Sequence, residues 1–170
     1  MDKDSNAVGR PSAFHTIVFG GLAIGICDFL DASIFFPLYF PISFVDVWHG
    51  PASGLIGREA SKGGGLNTAL LGILLHFVVA FCIATVYYLA SRNISFLVRR
   101  PVISGLIFGA IANFVMQWIV IPLSAIGWRP VPDHIDWGSQ INSYIGHALL
   151  VGLPVALIAA WSAKRNQMLD

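Results

Sequence analysis

Four apolar runs, each long enough to cross a bilayer, leave this chain little choice of architecture. A spanning helix needs about 20 predominantly apolar residues at a rise of about 1.5 Å each, and four segments meet that length: roughly 15–40, 66–90, 101–125 and 141–161. Only 11% of the 170 residues are charged, less than half the ~25% of a soluble domain, so there is too little charge to coat a surface in water. The sequence therefore predicts an all-α, polytopic membrane protein: a four-transmembrane-helix bundle forming one integral membrane domain over residues 1–170. The first run is longer than the apolar core of a signal peptide and is interrupted by Asp28 and Asp31. It is expected to be retained.

Charge placement sets an expected orientation. Lys3 and Arg10 precede the first run, Arg92, Arg99 and Arg100 separate the second from the third, and Lys164 and Arg165 follow the fourth; only Arg58, Lys62 and Arg129 occupy the other two loops. The positive-inside rule then puts both termini and the second loop in the cytoplasm. Trp48, Trp128, Trp137 and Trp161 fall near expected span ends, where amphipathic rings anchor a helix. Ten basic residues against nine acidic ones offer no basic stripe for a nucleic acid. The bilayer is the expected partner, with self-association and any protein partner left open. Cys27 and Cys82 both lie inside apolar runs, which suits reduced thiols packed among helices rather than a disulfide.

The loops are unequal. The second, SRNISFLVRR, is short enough to join runs two and three as an antiparallel helical hairpin. In the first, residues 51–60 are expected to form a short interfacial helix ended by Gly63, Gly64 and Gly65. The third, Gly127 to Gly138, carries Pro130, Pro132 and the polar residues Asp133, His134 and Asp136 with no regular period. Runs one and three share a pattern, Gly21-x-x-x-Gly25 before Asp28-Phe29 against Gly105-x-x-x-Gly109 before Asn113-Phe114, and each ends in Pro-Leu. A parallel two-helix repeat about the membrane normal is one reading; the frequency of Gly-x-x-x-Gly in membrane helices is the other. These small residues are expected to let spans one and three approach closely.

Charged groups in a bilayer are costly and mark functional sites by default. At 1.5 Å per residue, Asp28, Asp31, Asn113 and Gln117 lie about 18–24 Å from the cytoplasmic ends of their runs, and His76 and His147 about 15 Å and 9 Å from the outer ends. With a hydrocarbon core of about 30 Å, all six are expected in one layer between the midplane and the outer face. Asp28 with Asp31, and Asn113 with Gln117, are spaced to share a helix face. Two carboxylates and two histidines suit a divalent metal such as Zn²⁺, with Asn113 and Gln117 behind the ligands. The same set suits a proton relay, or groups that merely satisfy one another across helix contacts. A bis-histidine haem on His76 and His147 has nothing else to mark it.

The sequence holds no HExxH, nucleophile elbow, phosphate loop or CxxC. No cofactor is expected, and the chain is expected not to be an enzyme. In the loops, Asp46, His49 and Glu59, and Asp133, His134 and Asp136, are either a surface cation site or ordinary solvated residues.

Gly105-Leu-Ile-Phe-Gly109-Ala110, Ile121-Pro-Leu123, the Pro-rich loop through Trp137 and Ile145-Gly-His147 resemble the YagU-like family of small bacterial inner-membrane proteins. Gly50-Pro51, the Leu55–Ala60 stretch and the region around His76 match it more weakly, and Asp28 and Asp31 depart from its pattern. The resemblance implies an inner-membrane location and a link to survival in acid, with no role transferred to Asp28 or Asp31. Two functions follow: proton or cation handling by the Asp/His layer, or a non-catalytic membrane scaffold in which that layer is structural.

Overall fold

The computed structural model describes residues 9–128 and 136–168, and every element among them is helical. Four helices are long and apolar enough to cross a membrane: α1 (His15–Tyr39), α4 (Gly65–Asn93), α6 (Pro101–Leu123) and α7 (Trp137–Gln167). Three short helices connect them: α2 (Phe44–Ile56), α3 (Arg58–Gly63) and α5 (Phe96–Arg99). The spans fall where the apolar runs predict, except that α7 extends further at both ends. The protein is thus an all-α, four-helix, multi-pass membrane protein. Each long helix turns an apolar stripe outward at helical spacing, for example Leu22, Ile26, Leu30, Ile34 and Leu38 on α1, which is the face a spanning helix offers to lipid.

The helices lie side by side in the order α4, α1, α7, α6. Lipid tails are as apolar as leucine, so close packing holds such helices together and small residues let backbones approach. The core accordingly consists of Ile24, Ala80, Ala84, Tyr87, Val151, Val155, Ala156 and Ala159. The glycine pairs do not join spans one and three as expected. Gly21 and Gly25 seat the rings of Phe81 and Phe77 of α4, whereas Gly105 and Gly109 lie against the backbone of α7 at Gly152 and His147. The helix facing each pair explains the difference: α4 offers two phenylalanines that need a notch, and α7 offers a third glycine that lets main chain meet main chain.

Both described termini sit at one end of the bundle. Ser12 donates its backbone N–H to Ser162 Oγ, and Asn166 Nδ2 donates to the Arg10 carbonyl. Arg165 Nη1 donates to His15 Nε2 at 3.3 Å while lying over the Trp161 ring.

At the opposite end the first loop forms two helices, α2 and α3, where one over 51–60 was expected, and α3 ends at Gly63 as the glycines imply. α2 begins seven residues before position 51, its N-terminus fixed by Ser43 and Asp46 in a reciprocal capping box. α2 packs along α4. Gly72 of α4 makes this possible by letting the Trp48 carbonyl and the Ala52 backbone approach. Trp48, expected as an interfacial anchor, is instead 1% exposed, stacked on Phe29 at 4.6 Å and edge-on to His76 at 5.2 Å. His76 lies about 16 Å along α4 from Gly65, so α2 plugs the long-loop half of the bundle. Trp128, Trp137 and Trp161 are exposed, as anchors are.

Candidate functional site

The six polar residues expected in one layer divide into two groups, on either side of α1. Positions three apart on a helix are neighbours but differ in direction by about 60°, and here that angle sends Asp28 toward α4 and Asp31 toward α7. Among the described residues no three His, Cys, Asp or Glu side chains come together as metal ligands would. The expected Zn²⁺ set of Asp28, Asp31, His76 and His147 is therefore not assembled.

On the α4 side, His76 Nε2 donates to the Gly25 carbonyl at 3.0 Å, and its Nδ1 lies 3.8 Å from Asp28 Oδ2. The side chains are 13% and 22% exposed. A carbonyl can only accept, so Nε2 carries a proton in either ring state. A neutral ring then points the Nδ1 lone pair at a carboxylate oxygen, which is repulsive. The separation exceeds a direct hydrogen bond.

The same design recurs one residue from Trp48. His49 Nε2 donates to the Gly65 carbonyl at 2.9 Å, and its Nδ1 is 3.9 Å from Asp46 Oδ1. His49 is buried, and its own carbonyl accepts from the hydroxyls of Ser53 and Ser61, which ties α2 and α3 to the start of α4. Asp46 is half exposed at the long-loop end. Ser43's hydroxyl, then its backbone N–H, hold the Asp46 carboxyl below the usual carboxylate range. Glu59 is exposed and joins no cluster, while Asp133 and His134 lie outside the described residues.

On the α7 side the groups mostly satisfy one another. Asn142 Nδ2 donates to Asp31 Oδ2 at 3.0 Å; Ser143 Oγ donates to Asn113 Oδ1 at 2.6 Å; Gln117 Nε2 reaches Ser143 Oγ at 3.4 Å. His147 Nδ1 donates to the Ser143 carbonyl one turn back. Gln117 and His147 lie in π-helical turns, Met116–Val120 and His147–Gly152, a deviation that often accompanies functional sites. Asn113 is 1% exposed, and its Nδ2 has no partner. Tyr39 at the end of α1 donates to Asp136 Oδ1 at 2.9 Å, and Asp136 caps the N-terminus of α7 by accepting from Ser139 N–H.

Sequence reasoning grouped His49 with Asp46 in the first loop, but missed Trp48, Tyr39, Asn142 and Ser143 as members of these sites. Ser143 and His147 stand four apart, a spacing that could have flagged the turn. No protein-family model, curated protein or solved structure matches the chain.

Proposed function

We propose that the chain handles protons in a bacterial inner membrane, with its termini cytoplasmic, and that Asp28 and His76 form its proton-binding pair. The observation that carries this is the paired geometry: twice, around Trp48, a histidine spends Nε2 on a backbone carbonyl and presents Nδ1 to an aspartate. Asp46 is half exposed with His49 buried beside it, Asp28 and His76 lie within the bundle, and Trp48 packs edge-on to His76. Intramembrane ionisable groups that face the bundle interior commonly mark proton relays, and histidine is the side chain suited to exchange near neutral pH. The motif resemblance to the YagU-like family, with its link to acid survival, is in keeping with this reading. Nothing in either pair supplies a nucleophile beside a stabilising group, so the activity proposed is binding and transfer of protons rather than catalysis.

The test is proton flux into liposomes carrying wild type, Asp28→Asn, His76→Ala or Asp31→Asn, each checked for folding by thermal melting. Wild type and Asp31→Asn are expected to dissipate a pH gradient faster than empty liposomes, and the other two to match the empty ones. Equal flux in all four, indistinguishable from empty liposomes, would leave the scaffold reading, which the pairing of Asn113 and Gln117 with Ser143, and of Asp31 with Asn142, favours on the α7 side.

A further inference from the structure

The Asp28–His76 pair contains a conflict that its own hydrogen bond does not settle. With Nε2 donating to the Gly25 carbonyl, a neutral His76 turns the Nδ1 lone pair toward Asp28 Oδ2, 3.8 Å away, and an ionised Asp28 repels it. A half-turn of the ring about Cβ–Cγ would put Cδ2 where Nδ1 stands and remove the repulsion. It would cost one neutral hydrogen bond, whose net contribution to stability is modest. Electrostatics therefore does not keep the ring facing Asp28 before a proton arrives, and packing has to.

Two rings stand edge-on to His76: Phe77 at 5.4 Å and 86°, and Trp48 at 5.2 Å and 71°. Phe77 belongs to the same helix as His76 and is taken up by the notch at Gly25. Trp48 comes from α2, and Gly72 decides where it sits. Gly72 and His76 are four apart, one turn along the same face of α4, so seating the Trp48 carbonyl at Gly72 brings the indole to the next turn. Phe29 stacks on the indole at 4.6 Å and 18° and stops it from retreating. A close-packed site of this kind leaves a planar ring no room to turn. Buried indole N–H groups usually find an acceptor, but Trp48 Nε1 has none among the described residues. The position uses the ring rather than the N–H.

We infer that Trp48 is a positioning residue for His76: seated by Gly72 and backed by Phe29, it holds the imidazole with Nε2 on the Gly25 carbonyl and Nδ1 facing Asp28. The inference deepens the proton-binding reading of Asp28 and His76 and rests on it for the effect on flux, though not for the state of the ring.

Nitrogen NMR of the full-length protein in maltoside micelles and alkaline buffer, with ring-labelled histidine, reads the state of the ring, and His76→Gln identifies the His76 signals. Wild type should show one fixed Nε2–H tautomer with two well-separated ring nitrogens. In Trp48→Leu, which keeps apolar bulk without a ring, the two signals should converge as tautomers mix. Proton flux into liposomes should fall at least about twofold, following the fraction of rings left in the competent orientation. Trp48→Phe should restore both, since it keeps a ring and gives up only an unpaired N–H. Gly72→Ala changes no side chain that touches the pair and should shift the signals in the same direction, so it decides the matter if Trp48→Leu does not fold; Gly50→Ala should shift nothing. Ring signals matching wild type in Trp48→Leu, or in Gly72→Ala where Trp48→Leu does not fold, would overturn the assignment. So would convergence in Trp48→Phe as complete as in Trp48→Leu. Convergence in Trp48→Leu together with no flux through wild type would support the positioning of the ring and refute the proton-transfer reading alone.

Discussion

Replacing Gly72 by alanine puts the seating of α2 to a direct test. A Cβ at this position would meet the Trp48 carbonyl oxygen, and the Ala52 nitrogen at 3.3 Å. These are backbone atoms of a helix, so no side-chain rotation relieves the contact. To regain ordinary separations of about 3.5–4.0 Å, α2 must move off α4 by on the order of 1 Å or more. Overpacking of this kind costs about 1–3 kcal/mol. At roughly 2–4 °C per kcal/mol for a chain of this size, the melting temperature should fall by about 2–12 °C. Gly50→Ala is the internal control: it lies on the same helix, and its Cβ would meet nothing within 4 Å. It should leave the melting temperature unchanged or raise it, since a compatible Gly→Ala exchange stabilises by about 0.4–1 kcal/mol. Melting is followed by circular dichroism. Emission of Trp48, with the other four tryptophans replaced by phenylalanine, reports whether the indole leaves Phe29 and His76. A Gly72→Ala protein that melts within a degree of wild type with unchanged Trp48 emission would refute the seating of α2 in the bundle.

Two further perturbations address other contacts. Asp46 has a lowered folded-state pKa because of its bonds to Ser43, so its stabilisation of the α2 cap is complete above the unfolded carboxylate pKa and disappears as pH falls through the folded value; the melting difference between wild type and Asp46→Asn should shrink on acidification, and a difference constant with pH would contradict the cap. For the bond between Ser143 and Asn113, a double-mutant cycle of Ser143→Ala and Asn113→Ala should give a coupling of about 0.6 kcal/mol, and at most about 1.7 kcal/mol, the mean and maximum for such bonds in membranes. Additive effects would show that the hydroxyl does not hold the amide.

Hydropathy made the four spans legible because run length and apolar composition are local properties that the bilayer enforces directly. The arrangement of polar groups was harder to read, because depth places a residue along a helix and leaves its direction open. Asp28 and Asp31 shared a predicted depth, yet a rotation of about 60° separates a histidine partner from an asparagine. The location of α2 was concealed for another reason. Trp48 near a span end has the chemistry of an interfacial anchor, and only the approach permitted by Gly72, twenty-four positions away in sequence, turns it into a buried residue. Gly21, Gly25, Gly105 and Gly109 announced close packing without naming the partner, since glycine removes bulk and the neighbouring helix decides what fills the space.

The pairing of the two carboxylates also has a time order. The groups around Asp28 belong to α1, α2 and α4, and the His76 that contacts Gly25 is 51 residues downstream, so this site closes once the first two spans are in place. Asp31 waits for Asn142, 111 residues away on the last span. At roughly 5–20 residues per second, synthesis alone separates Asp31 from its partner by on the order of 5–20 s. During that interval the first pair of helices carries a carboxylate that nothing in it satisfies, and insertion of α7 beside α1 removes this defect. The amide donor that pairs with Asp31 is thus among the last parts of the bundle to be made.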